Sequence, residues 1–215
     1  MSDTSSRAGA RYATPEIMEY VQRTHVGGDD ALTRAFAVPA DMPPIMVQPS
    51  EGRLIHLLAR LANAHKIVEV GTLAGYSAIH LARALPAHGH LWTVEFEARH
   101  AEVARGNLAA AGLAARATVV VGAGRDVLPT LVGHGPFDVV FIDADKENYD
   151  FYGEWALANL RRGGIVLGDN AYLFGELVGG TPRAQAMRRF HERVAAACDS
   201  TCIPTPDGLV LGIVR

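Results

Sequence analysis

Apolar positions along this chain change period several times, and each change marks an element. Residues 67–70, 91–95, 118–121, 139–143 and 165–169 are short runs of β-branched and other apolar side chains, as expected for strands buried on both faces. Between them lie stretches that suit helices: 76–85, 98–111, a short one after Arg125, and 149–160. Repeated strand–helix units predict a parallel sheet with helices on both faces. Upstream, Thr14-Pro15-Glu16 has the form of a helix start: a hydroxyl cap, proline at the first helical position and an acid at the positive end of the dipole. Residues 41–50 hold three prolines and should be largely extended. Beyond them Leu54, Leu57, Leu58 and Leu61 recur at helical spacing, which predicts a core-facing helix leading into the first strand. The tail breaks the rhythm. After a helix through Met187, Phe190 and Val194 come residues 201–204, the turn Pro206-Asp207-Gly208 and residues 209–214, a hairpin that makes at least one terminal strand antiparallel.

Composition narrows the function. At 215 residues and 49% hydrophobic content the chain can bury one substantial core, so residues 14–215 are expected to form a single domain behind a flexible tail, residues 1–13. A net charge of -3 gives no cationic field for nucleic acid or an anionic membrane, which favours a small-molecule substrate. No apolar run approaches the roughly 18 residues of a membrane span, and the N-terminal stretch lacks the apolar core of a signal peptide. The only cysteines, Cys198 and Cys202, lack the two-residue gap of a redox pair; they are expected to be reduced thiols in a cytoplasmic protein.

The polar chemistry gathers at the expected strand ends, where open α/β sheets bind ligands. After the first strand, Gly71 and Gly75 permit a tight turn before a helix N-terminus suited to an anionic ligand group. The turn lacks the glycine spacing of dinucleotide binders, which counts against a nicotinamide-dependent oxidoreductase, the rival reading. Glu95 ends the second strand and could accept hydrogen bonds from both hydroxyls of a ribose, a feature shared by many nucleoside-cofactor enzymes. Asp143-Ala144-Asp145-Lys146 ends the fourth and Asp169-Asn170 the fifth. Ends of neighbouring parallel strands lie about 5 Å apart, so Asp143, Asp169 and Asn170 could converge on one hard divalent cation, with Lys146 beside them. Trp92, Trp155 and the nine histidines carry no such pattern; Tyr172, Leu173 and Phe174 are candidates for a substrate wall or for core.

Taken in order, the segments 69–77, 93–95, 122–128, 137–149, 163–170 and 206–209 resemble the metal-dependent class I O-methyltransferases, the group that includes catechol and caffeoyl-CoA O-methyltransferases. The resemblance implies a Rossmann-like seven-stranded sheet, mostly parallel with an antiparallel last strand. It also implies S-adenosyl-L-methionine (SAM) as methyl donor, and a divalent metal, Mg²⁺ with Ca²⁺ or Mn²⁺ as alternatives, that orients a catechol-like phenolic acceptor. A non-phenolic acceptor is the second possibility within the same chemistry. By position, Gly71 and Ser77 match the surroundings of the cofactor's methionine part, with Val47 nearby, and Glu95 matches the ribose acid. Ala123, Gly124, Arg125 and Ala144 match the adenine-flanking segment, and Glu69, Gly75, Tyr76 and Asp143 complete the cofactor set. Asp143, Asp169 and Asn170 match metal ligands, and Lys146 the proposed base. Gly124-Arg125 and residues 171–180 depart from the family pattern. A homodimer is expected by the same analogy.

Overall fold

The computed structural model describes residues 13–215; most of the expected tail lies outside the described residues. In chain order the elements are α1 (Pro15–His25), α2 (Asp30–Phe36), α3 (Pro49–Leu61), β1 (Lys66–Val70), α4 (Tyr76–Ala84), β2 (His90–Glu95), α5 (Ala98–Ala110), β3 (Ala117–Val121), α6 (Gly124–Leu131), β4 (Phe137–Ile142), α7 (Tyr149–Asn159), β5 (Leu160–Gly168), α8 (Pro182–Ala197), β6 (Cys198–Ile203) and β7 (Leu209–Val214). The strands form one seven-stranded sheet in the order β3-β2-β1-β4-β5-β7-β6. β1 to β5 are mutually parallel. β7 runs antiparallel to both of its neighbours, β5 and β6. This is the seven-stranded, mostly parallel Rossmann-like sheet expected from the pattern and the resemblance.

The central strands β1, β4 and β5 are apolar on both faces because each face has its own core. Ile67, Val139, Phe141, Ile165 and Leu167 pack with Ile55, Ile79 and Leu108. Val68, Val70, Val140, Ile142 and Val166 pack on the other side with Leu128, Tyr149 and Phe190. Alternation within a continuous apolar run therefore divides the residues between two helical layers.

Three departures from the expected pattern have local causes. The leucine stripe of α3 divides: Leu54 and Leu58 pack against the core, but Leu57 and Leu61 are 42% and 82% exposed, and the fully buried face is Glu51, Gly52, Ile55, His56 and Ala59. α3 packs against α4, and a Cβ on Gly52 would lie 2.7 Å from the His80 ring, so the helix must present its small residues there. β5 starts at Leu160 because a polar, half-exposed lead-in with a register shift pairs with β4 before the apolar run begins. α2 was not expected. It is a two-turn helix capped by Asp29, whose Oδ1 accepts from Leu32 N at 3.0 Å, and a segment so short carries little periodic signal.

Candidate functional site

The site follows from strand register. Val70 pairs with Val94 on one side and Ile142 on the other, and Ile142 pairs with Gly168. Hydrogen bonding runs one residue further: Gly71 N donates to Val94 O (2.9 Å), Asp143 N to Val70 O (2.8 Å) and Asp169 N to Ile142 O (2.9 Å). Glu95, Gly71, Asp143 and Asp169 thus form a single row across the carboxyl edge of four adjacent strands. The strand order reverses between β1 and β4, so this edge is the crevice where such sheets bind ligands. A cavity of about 720 Å³ opens there.

Gly71 makes the row possible. Its φ is +100°, and an added Cβ would fall 1.9 Å from the carbonyl oxygen of Asp143, so only glycine lets the turn pass so close to β4. Glu95 then holds the turn. Its Oε2 accepts from Thr72 N (3.1 Å) and Leu73 N (2.7 Å), and its Oε1 from Glu97 N (3.0 Å). His100 Nδ1 lies 3.4 Å from the same Oε1. Glu95, though buried, lines the cavity. It is therefore a clamp on the glycine turn that also borders the cavity.

Of the residues expected to meet the cofactor, Val47, Gly71, Tyr76, Ser77, Glu95, Ala123, Gly124, Arg125, Asp143 and Ala144 line the cavity, together with Lys146 and Asn170. Glu69, Gly75 and Asp169 do not. Glu69 is fully buried below the turn and accepts from Thr93 Oγ1 at 2.5 Å. Burial pushes its carboxyl up to about 8, against hydrogen bonds from Ser77 and Thr93 that pull it down. Its place is beneath the turn, where it holds Ser77 and, through Thr93, Thr72. Gly75 caps α4 in the left-handed region, φ +85°, with its Cα side against Ala104 of α5. Asp169 is buried at the end of β5, and its Oδ1 accepts from Asn170 N at 2.6 Å.

Lys146 reaches back over its own turn. Its Nζ donates to Asp143 Oδ1 at 3.1 Å and to Tyr149 Oη at 3.0 Å, and sits 4.7 Å from the Tyr149 ring centre. The Tyr149 hydroxyl in turn lies 2.8 Å from Asp169 O and 3.0 Å from Ile142 O, so one buried phenol ties the ends of β4 and β5 to the lysine. Burial, then the nearby carboxylates, hold that phenol well above its ordinary range, in its neutral form. Sequence reasoning placed Tyr149 in a motif without a role; its position at a helix start, three residues after a lysine, was the available signal. Tyr152, one turn on, was missed. It lines the cavity, donates to Asp145 Oδ1 at 2.5 Å and packs on Gly124, where a Cβ would lie 2.8 Å from its ring. Arg125 spans the same rim, with Nη1 2.9 Å from Asn148 Oδ1 and its guanidinium 4.6 Å from the Phe151 ring centre.

The candidate wall divides. Leu173 is core, and Tyr172 packs against Gly208 of the β6–β7 turn. Phe174 lines the cavity and is 64% exposed, facing the same opening as Pro43, Ile45 and Met46. Its φ is +54°, a strained value for an aromatic residue, and Asp207 Oδ1 holds its N–H at 2.9 Å. Glu51 of α3 was not singled out by sequence. Burial raises its carboxyl, as does Asp143 nearby, although hydrogen bonding to Asp169 pulls it down. Burial likewise raises Asp169, with Asp143 and Glu51 adding to it. The arrangement is a cavity of about 720 Å³ with Pro43, Ile45, Met46 and Phe174 among its apolar lining and Glu95, Asp143, Asp145 and Lys146 among its polar lining.

Comparison with known proteins agrees with this geometry. The family model described as O-methyltransferase matches residues 30–214. A catechol O-methyltransferase of Mycobacterium tuberculosis is 42% identical over 212 residues, covering 94% of this chain and 96% of that protein. A catechol O-methyltransferase of Niastella koreensis is also 42% identical, over 87% of this chain and 91% of its own. Among solved structures, the O-methyltransferase TomG of Streptomyces achromogenes, in complex with SAM, superposes with a TM-score of 0.88 at 41% identity, covering 93% of this chain and 96% of that one. An O-methyltransferase from Bacillus cereus, in complex with SAH, gives 0.88 at 36% identity, covering 93% and 97%. With a family match across most of its length and relatives this similar over nearly their whole sequence, the chain belongs to the O-methyltransferase family.

Proposed function

We propose that this SAM-dependent O-methyltransferase methylates a hydroxyl of a catechol-like, vicinal-diol phenol, with a divalent cation at Asp143, Asp169 and Asn170. The observation that carries the reading is the strand-end row, in which Glu95 and Asp143 line the cavity and Asp169 ends the next strand beside Asp143, buried behind the lining. The curated relatives with the same chain-length match are catechol O-methyltransferases.

The residues fit a hard cation. Asp143 and Asp169 leave neighbouring strands in register, Asn170 lines the same cavity, and all three offer oxygen donors of the kind Mg²⁺, Mn²⁺ and Ca²⁺ prefer. When bound, such an ion supplies positive charge that acidifies an acceptor hydroxyl and steadies the resulting oxyanion. The protein's own groups do the rest. Glu95 accepts from the ribose hydroxyls, Gly71 and Ser77 border the methionine end, and Ala123, Gly124 and Ala144 flank the base. Glu69 and Gly75 act from beneath by shaping the turn. Phe174, Ile45 and Met46 cover the acceptor and exclude water, and Lys146 Nζ takes up the hydroxyl proton as the methyl group passes from sulfur to oxygen.

Exhaustive chelation should abolish methyl transfer to a panel of catechols, and Mg²⁺ or Mn²⁺ should restore it, measured by radiolabelled methyl uptake. Full turnover after chelation would remove the metal from the reading, and turnover on monophenols or amines alone would remove the diol. A homodimer and a cytoplasmic location are further proposals. The first is supported by Ile17, Tyr20 and Val21 of α1, exposed beside Leu57 and Leu61 of α3, and the second by the two free thiols, Cys198 and Cys202. No helix among the described residues is long and apolar enough to cross a membrane.

A further inference from the structure

The segment after Asn170 is tied to the β6–β7 turn by two kinds of bond. Ala171 N donates to Gly208 O (3.0 Å) and Tyr172 N to Asp207 O (2.8 Å), and both are backbone bonds that do not depend on the side chain at 207. Phe174 N instead donates to the Asp207 side chain, at Oδ1, over 2.9 Å. Tyr172 also packs on Gly208, where a Cβ would lie 2.8 Å from its ring, and Leu173 is fully buried. Backbone bonds and packing therefore fix the segment as far as Leu173. Phe174 is 64% exposed, and what holds its N–H is the Asp207 carboxylate.

Leu173 and Phe174 both lie in the left-handed region, at φ +52° and +54°. For a residue with a Cβ that region is disfavoured about five- to thirtyfold. Burial of its side chain holds Leu173 there, but Phe174 has no such enclosure. A hydrogen bond to a carboxylate shifts a local equilibrium by roughly ten- to a hundredfold, enough to keep Phe174 where its backbone alone would not stay. The same carboxylate has a second oxygen, Oδ2, that is buried without a hydrogen-bond partner. Turn chemistry does not call for that, since Gly208 at φ +77° supplies the turn's unusual conformation and a half-paired carboxylate costs desolvation. The bond that the Asp207 side chain does make runs to the residue that faces the cavity opening with Pro43, Ile45 and Met46.

From this geometry we infer that Asp207 is a positioning residue for the methyl acceptor: by holding the Phe174 backbone it sets the aromatic side chain at the cavity mouth and so governs how apolar substituents of the acceptor are received. The inference rests on the reading of Phe174 as part of the acceptor cover. An apolar wall touches ground state and transition state alike, so losing it raises KM and leaves kcat nearly unchanged. Asparagine keeps an accepting oxygen in the same place, and alanine removes it.

The test has two arms, both on the full chain. In the first, amide hydrogen exchange at Phe174 is followed by NMR with S-adenosylhomocysteine present. It should quicken about tenfold or more in Asp207→Ala and stay within about threefold of wild type in Asp207→Asn. In the second, methylation of catechol and of tert-butylcatechol is measured at saturating SAM and Mg²⁺ for wild type, Asp207→Asn, Asp207→Ala, Phe174→Ala and the double alanine variant. Asp207→Ala and Phe174→Ala should each raise KM for tert-butylcatechol by about tenfold with kcat within about threefold, and the double variant should match Phe174→Ala. Plain catechol should show little of this change, and calorimetry should give every variant wild-type affinity for S-adenosylhomocysteine. Wild-type exchange at Phe174 in Asp207→Ala, an equal loss in Asp207→Asn and Asp207→Ala, or a further KM rise from Asp207→Ala on top of Phe174→Ala overturns the inference and leaves the acceptor reading standing. A wild-type KM in Phe174→Ala, or no turnover of either catechol by the wild type, removes the acceptor reading and the inference with it.

Discussion

At the scale of single residues, Lys146 bears the sharpest chemical expectation. Its Nζ already has two partners, Asp143 Oδ1 and the Tyr149 hydroxyl, and both restrict where the amine can point. As the proposed general base it should matter for turnover and little for cofactor binding. Lys146→Ala is expected to lower kcat by about a hundredfold or more, with S-adenosylhomocysteine affinity unchanged by calorimetry. The deficit should narrow at higher pH, or with more acidic catechols, as solvent takes over the ionisation. Near-normal kcat at neutral pH would reduce Lys146 to a charge-balancing partner of Asp143. The residue types at the strand ends were legible from the sequence, because Glu95, Asp143, Lys146, Asp169 and Asn170 fall at the ends of apolar runs. That Glu69 and Gly75 sit under the turn instead of on the cavity was not, since a position's side of a turn depends on the turn's conformation.

At the scale of elements, the α3–α4 contact couples packing to pH. Gly52 of α3 faces His80 of α4, and His56 Nδ1 pairs with the His80 carbonyl oxygen at 2.9 Å. Burial lowers the His80 imidazole to about 4, with the charges of His56, Arg83 and Arg53 acting in the same direction and Asp29 against it. The unfolded chain, with His80 near 6.5, binds the extra proton first as pH falls. Between about 6.5 and 4 the unfolded state therefore holds more protons and stability declines with acidification; above 6.5 this contribution is fully present. The difference amounts to on the order of 3 kcal/mol across the window. His80→Leu should remove that slope, so that denaturant midpoints of the two proteins converge or cross in favour of the variant between pH 7.5 and pH 4. Parallel pH profiles would mean that His80 titrates alike in both states. The exposed leucines of α3 have the same origin, because the face nearest α4 needed Gly52 and Ala59.

At the scale of the whole molecule, the exposed apolar side chains are unevenly placed. Tyr20 and Ile17 of α1 and Leu57 and Leu61 of α3 lie on adjacent helices, while the ligand cavity opens at the carboxyl edge of the sheet. Exposed apolar side chains on two helices in contact favour association. Sizing chromatography with light scattering should give a dimer mass for the wild type, and Tyr20→Ser combined with Leu61→Ser should shift it towards the monomer. A monomeric wild type at micromolar concentration would leave the patch without that role.

Local information was enough for the strands of the sheet, most of the helices and the polar residues that end the strands. Apolar period and capping chemistry are properties of neighbours along the chain, and Thr14, Thr181 and the apolar run of β4 express them wherever the chain folds. Family motifs extended that information to the cofactor residues. Tertiary structure decided the matters in which distant segments meet: the register that sets Gly71, Asp143 and Asp169 in one row, the outward turn of Leu57 and Leu61, and the tie from Tyr149 to two strand ends. The physical reason is that a carboxylate's partner, or a leucine's burial, depends on which surface is brought against it. That surface exists only once two layers of helix have closed on the sheet.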